Sequence, residues 1–186
     1  FKVPKTMSSP SVASIGLRFA ALFAAKTDGW ATPANLIVES FEQTVLSQIK
    51  ARGVPGRYVY LLESSGSPAD LVARFGRRAL SYSAHLTPAG LERLAADVDG
   101  ISVDKVMLLA PDASTTTDLV DRAHAAGLLV FTWTLRAENR FLAKNLRRGS
   151  SLRDYGDWPT EFRLILGTGV DGVFADQPDL ALDALA

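Results

Sequence analysis

The chain has 186 residues, 47% apolar and 22% charged, enough for one domain with a real core. Its 20 basic and 20 acidic side chains cancel to a formal net charge of zero and no basic stripe stands out, which argues against nucleic acid as a partner. With no cysteine, disulfides and thiolate metal sites are excluded, and the compartment stays open.

The first apolar run, Val12 to Ala25 ("VASIGLRFAALFAA"), is interrupted by Arg18. It is shorter than the roughly 20 residues a membrane span needs, so no span is expected. It also lacks the charged start and cleavage site of a signal peptide, and reads as a packed helix. Ala34 to Phe41 ("ANLIVESF") reads as a strand bounded by Pro33. Ser40 and Gln43 then have capping-box spacing, ahead of a helix with Val45, Leu46 and Ile49 inside and Gly53 as its left-handed cap. Arg57 to Glu63 ("RYVYLLE") is the next strand, followed by a polar turn at Ser64 to Ser67.

Thr87-Pro88 marks a helix start, with Leu91, Leu94 and Ala95 on its inner face. Asp99 to Val103 is a weaker strand. Thr115 or Thr116 is expected to cap a helix carrying Leu119, Val120 and Ala123 and ending at Gly127. Leu128 to Leu135 ("LLVFTWTL") is a strong strand, and Thr160 is expected to cap a helix with Phe162, Leu164 and Ile165. Gly172 to Ala175 is the last strand and Asp179 to Ala186 the last helix.

Short, continuously apolar strands separated by helices imply a parallel sheet with helical cover. A doubly wound sheet and a (β/α) barrel both fit. Several strands end in polar or aromatic residues: Glu39, Glu63, Trp133 and Asp176. In a (β/α)8 barrel the carboxy-terminal strand ends line the mouth that holds the site. Asp176 either caps the last helix or faces that mouth, where it would fix a basic or polar group. Trp133 is core or pocket wall. Glu39 forms an outward salt bridge or meets a cation, since an unpaired carboxylate among apolar neighbours is costly. Glu63 lies at a solvated loop or beside substrate. Arg136 pairs with Glu138 on the surface or reaches a phosphate. Lys105 is a solvated lysine or attracts an anionic substrate. His85 and His124 read as structural rather than as an acid-base pair.

The stretch "HAAGLLVFTWTLRAEN" (His124 to Asn139), followed by "GTGVDGVFADQPDLAL" (Gly167 to Leu182), resembles the carboxy-terminal half of glycerophosphodiester phosphodiesterases. "NLIVESFEQTVL" and "DGISVDKVMLL" are similar to earlier segments of the same family. The resemblance implies an α/β (β/α)8 TIM barrel, of which this chain, as a single domain over residues 1–186, supplies roughly the C-terminal half to two-thirds. It implies metal-assisted hydrolysis of a small-molecule glycerophosphodiester to glycerol 3-phosphate and an alcohol, with calcium or magnesium, in lipid and glycerol metabolism. By resemblance Trp133 belongs to the pocket and Phe41 is similar to the family's phenylalanine; with Asp176, Arg136 and Glu63, read from the strand ends, they are the expected substrate-binding residues, and Glu39, where the family has no metal carboxylate, is metal-proximal at most.

The family's His-Arg-Gly, Glu-x-Asp, His-Asp and Glu-x-Lys motifs do not occur in this sequence. The resemblance therefore implies that the main catalytic residues lie upstream of Phe1, and that the missing strands or a second copy complete the barrel. A catalytically incomplete relative, acting as a binding or structural module, is the competing expectation. Likeness to longer members favours a secreted or periplasmic setting.

Overall fold

The computed structural model describes residues 10–186, with side chains described from Arg18 onward. Five strands follow one another in one sheet in chain order, β1 (Ile37–Ser40), β2 (Arg57–Leu62), β3 (Gly100–Asp104), β4 (Leu129–Leu135) and β5 (Gly172–Ala175). Purely sequential order is what a (β/α) barrel uses; a doubly wound sheet reverses direction at a switch point. The chain divides into two compact units, residues 1–101 with 126–128, and residues 102–125 with 129–186.

In the first unit, α1 (Pro10–Thr27) packs on α2 (Gln43–Lys50). Positions Val12 to Leu17 of the expected packed helix lie outside the described side chains. No helix among the described residues is long and apolar enough to cross a membrane. Strand β1 starts later than the apolar run suggests. The Asn35 amide accepts from the Thr32 N–H at 2.7 Å and donates to the Trp30 carbonyl at 2.9 Å, which folds residues 32–35 into a turn. The capping box does not form: Glu42 holds the cap position of α2, and the Ser40 hydroxyl instead accepts from the Glu42 N–H at 3.0 Å. Val45, Leu46 and Ile49 are buried, and Gly53 closes the helix at φ 72°.

Strands β1 and β2 run parallel, with Glu39 opposite Val59 and Ser40 opposite Tyr60. Helices α3 (Ala69–Phe75), α4 (Tyr82–His85) and α5 (Pro88–Asp97) follow. Thr87 caps α5, its hydroxyl accepting from the Gly90 N–H at 3.2 Å. Gly90 is required at the α4–α5 corner, because a Cβ there would stand 2.4 Å from the Ala84 carbonyl oxygen. Asp99 then ties the start of β3 to β2. Its carboxylate accepts from the Tyr58 N–H at 2.7 Å while its own N–H donates to the Tyr58 carbonyl at 2.8 Å.

The second unit repeats that device. Asp171 accepts from the Val130 N–H at 2.7 Å and donates to the Val130 carbonyl at 2.7 Å, which sets β5 parallel to β4. The following Gly172 lies under the Phe131 ring, where a Cβ would come within 2.7 Å. Helix α6 (Leu119–Ala125) buries Leu119, Val120 and Ala123. Neither Thr115 nor Thr116 caps it, because Thr116 is drawn into a β-bridge with Leu109 and the helix begins after Asp118. Thr160 is likewise not a cap. Helix α7 (Trp158–Leu166) starts after Asp157, whose carboxyl the Thr160 hydroxyl holds below the ordinary range. Helix α8 (Pro178–Leu185) ends the chain.

Replacing Asp99 by Ala leaves the Tyr58 N–H without its acceptor. The expected cost is about 1–3 kcal/mol in urea unfolding, against a smaller loss for Asp99→Asn, which keeps an acceptor oxygen.

Candidate functional site

Side chains alternate along a strand, so Glu39 lies on the sheet face opposite that of Tyr58 and Tyr60. The Tyr60 ring meets His85 of α4 edge-on at 5.6 Å, so the tyrosine face is the helix-covered one. Glu39 therefore shares its face with Val59 and Leu61, which in a barrel is the interior face. It is 9% exposed, and its Oε1 has no hydrogen-bond partner among the described residues. Desolvation raises its pKa to about 7, so the carboxyl is poised to exchange a proton near neutrality. Phe41, just past the strand end, is buried, and Glu63 is half-buried after β2. The outward salt bridge expected as one option for Glu39 does not form among the described residues.

Behind this strand pair lies a neutral polar cluster. The Tyr60 and Tyr82 hydroxyls and the His85 Nε2 are buried with no partner among the described residues. Burial raises both phenols, Tyr82 to about 12, and burial with the nearby Arg93 charge lowers His85. His85 thus sits on the covered face as a neutral imidazole. His124 lies in the second unit, with Nε2 2.9 Å from the Asp171 carboxylate. Burial acts against Asp171, but the Val130 N–H and His124 hold its pKa below the ordinary value.

In the second unit the ends of β4 and β5 meet. Asp176 accepts from Arg136 Nε at 2.5 Å, and its N–H donates to the Leu135 carbonyl at 3.1 Å. It does not cap α8, where Gln177 holds the cap position. Arg136 is not paired with Glu138, which Arg140 approaches at 3.9 Å. The Arg136 guanidinium also lies 4.5 Å over the Phe141 ring, so carboxylate and ring fix it from two sides. Trp133 is half-buried, and its indole N–H donates to the Ser102 carbonyl at 3.2 Å, which commits that donor to backbone. The register of β4 against β5 shifts between Thr132 and Leu135, around this tryptophan.

Lys105 is not the solvated lysine that one of its expectations gave. It is 5% exposed and ion-paired with Glu161, itself 1% exposed, whose other oxygen accepts from the Ala143 N–H at 2.8 Å. The sequence reading also assigned nothing to Asn139. Its amide donates to the Arg148 and Ser151 carbonyls and accepts from the Arg148 N–H, which pins the long loop after β4. The one signal for this was an asparagine ahead of a Gly/Ser-rich, strongly basic stretch.

Residues 2–180 match the model of the glycerophosphoryl diester phosphodiesterase family. The chain belongs to this family. No curated protein matches. Among solved structures, a presumed glycerophosphoryl diester phosphodiesterase from Silicibacter pomeroyi DSS-3 is similar with a TM-score of 0.59 at 19% identity. The match covers 96% of this chain and 48% of that one, so the chain spans about half its length. Likeness at this identity speaks for the fold alone: α/β, part of a (β/α)8 barrel.

Glu39 carries a pH signature. Its folded pKa of about 7 lies above the ordinary 4.5, so its contribution to stability is complete below pH 4.5 and lost as pH rises through 7. His85, lowered from 6.5, acts in the other direction: stability is full above pH 6.5 and falls as the medium acidifies. Glu39→Gln is expected to gain stability over the parent by at most about 3 kcal/mol at pH 8 and little at pH 4, read from urea midpoints across pH. Glu161→Ala strands the Lys105 ammonium and is expected to cost about 3–5 kcal/mol, most of it restored in the double variant Lys105→Met with Glu161→Leu.

Proposed function

We propose that this chain forms the later strands of an enzyme that hydrolyses glycerophosphodiesters to glycerol 3-phosphate and an alcohol. The family match over residues 2–180 carries this reading. The paired Arg136 and Asp176 at the ends of β4 and β5 support it. In the second unit, Asp176 positions Arg136, whose remaining guanidinium nitrogens bind the phosphoryl oxygens, and the Trp133 ring is an apolar wall for the glycerol carbons. In the first unit, Glu63 and Phe41 contact substrate and Glu39 stands near the metal.

Hydrolysis of the diester needs a base for the attacking hydroxyl and an acid for the leaving alkoxide. His85 and His124 are poorly suited to both roles, the first buried on the covered face and the second beside Asp171 at the starts of β4 and β5, opposite the strand ends that carry Arg136 and Asp176. The acid-base groups are accordingly proposed to lie upstream of this chain. Members of the family generally use a divalent metal. The orphaned Glu39 oxygen fits one position beside a calcium or magnesium ion, but no group of three His, Cys, Asp or Glu among the described residues could hold a metal. This chain's described residues do not form a metal centre.

That neither histidine stands at the strand ends beside Arg136 and Asp176 also favours a second reading, a catalytically incomplete barrel relative that binds rather than cleaves. Product analysis with the gene's full translated protein separates the two. Release of glycerol 3-phosphate from glycerophosphocholine is expected, with kcat/KM reduced about 100-fold by Arg136→Ala and about tenfold by Asp176→Asn. The isolated chain is expected to be inactive and, with uncovered sheet edges, to elute larger than a compact monomer. No glycerol 3-phosphate from the full protein would favour the binding module, and a persistent cyclic phosphate would point to a lyase.

A further inference from the structure

The second unit holds a cavity of about 650 Å³ that adjoins the Arg136–Asp176 pair through Phe141, the ring beneath the Arg136 guanidinium. One wall is the turn after β3, with Val106, Leu109 and Pro111; the other is the loop after β4, with Arg140, Phe141, Lys144 and Arg147. The volume lies in the range of small-molecule sites, about 300–1,000 Å³. The loop wall is not slack. Asn139 crosslinks it through three hydrogen bonds, and Gly156 packs so closely that a Cβ would stand 2.3 Å from the Asn139 Oδ1.

The charges around the cavity decide what it accepts. Glu161 is spent: one oxygen pairs with Lys105 and the other accepts the Ala143 N–H. Asp112 is occupied by Ser114, accepting from its N–H at 3.1 Å and its hydroxyl at 2.8 Å. Against these stand three further cations. Arg147 is held at its inner edge, Nε donating to the Leu142 carbonyl at 3.1 Å, which leaves the outer nitrogens of its fork for a ligand. Arg140 is stacked 4.6 Å over Phe141 and only loosely near Glu138 at 3.9 Å. Lys144 has no ion-pair partner among the described residues. A cationic ligand would meet an excess of like charge, and a neutral one would leave these donors unused.

We propose that this cavity binds a small organic phosphomonoester, its phosphate held by Lys144 and Arg147 and its apolar part lying against Val106, Leu109 and Phe141. The Arg147 guanidinium supplies the forked geometry that phosphate oxygens accept, and Lys144 adds a mobile point charge. The buried Lys105–Glu161 pair is the rigid floor that fixes the two walls relative to each other. This site needs none of the acid-base groups of the hydrolytic reading, while it shares Phe141 with Arg136.

The test is calorimetric titration of the full chain with phenyl phosphate, inorganic phosphate and phenol at low ionic strength. Saturable binding of one phenyl phosphate per chain is expected, about tenfold tighter than inorganic phosphate, with no binding of phenol at the same concentrations. Affinity is expected to fall about tenfold or more in Lys144→Gln with Arg147→Gln, and in the parent on raising salt from 0.05 to 0.5 M. Both altered positions are in the exposed loop wall, and unchanged circular dichroism confirms the fold. Absence of saturable phenyl phosphate binding overturns the proposal, as does undiminished binding in the Lys144/Arg147 variant. Inorganic phosphate binding as tightly as phenyl phosphate removes the apolar half of the assignment.

Discussion

Two aspartates at strand entrances carry the architecture. Asp99 and Asp171 each grip a residue of the preceding strand by both its N–H and its carbonyl. A backbone pair alone would fix strand spacing; the added carboxylate fixes register as well, since it reaches only one N–H. Each aspartate is followed by glycine, and at Gly172 the reason is steric, because the Phe131 ring fills the space a side chain would need. The Val-Asp-Gly motif that looked like a family signature is thus in the first instance a joint. Register matters because one residue of slip would turn Glu39, Trp133 and their neighbours to the other face.

The strands were legible because they are continuous apolar runs between turn residues, and Gly172 to Ala175 coincides with β5. Helix starts were less legible. Ser40 and Thr160 have the right chemistry at the right spacing, but other partners claim them, the Glu42 N–H in one case and the Asp157 carboxyl in the other. Thr116 was lost to a bridge with Leu109 that no local pattern announces. The site was legible only as a set of strand ends. That Arg136 answers to Asp176 and Lys105 to Glu161 depends on partners 40 and 56 residues away, and periodicity says nothing at that range.

Buried polarity is distributed unevenly, and the pattern bears on chemistry. Glu39 keeps an oxygen with no partner among the described residues on the interior face of its strand, an arrangement that costs free energy unless something charged arrives. Lys105 and Glu161 are just as deep but satisfy one another, so they contribute rigidity and offer nothing to a ligand directly. Arg136 lies between these extremes, oriented by a carboxylate and a ring yet still presenting donors. In this protein, geometry and not residue type separates groups that hold the fold from groups able to act on a substrate.

The order β1-β2-β3-β4-β5 has a consequence for biosynthesis. Every strand leaving the ribosome finds its neighbour already made, so no ladder has to wait for a distant segment. Loop closures stay short and assembly proceeds by accretion, one strand-and-helix unit at a time. The growing rim is always the newest strand, and the solvent-facing Phe174 of β5 marks where that accretion stands when translation of this stretch is done.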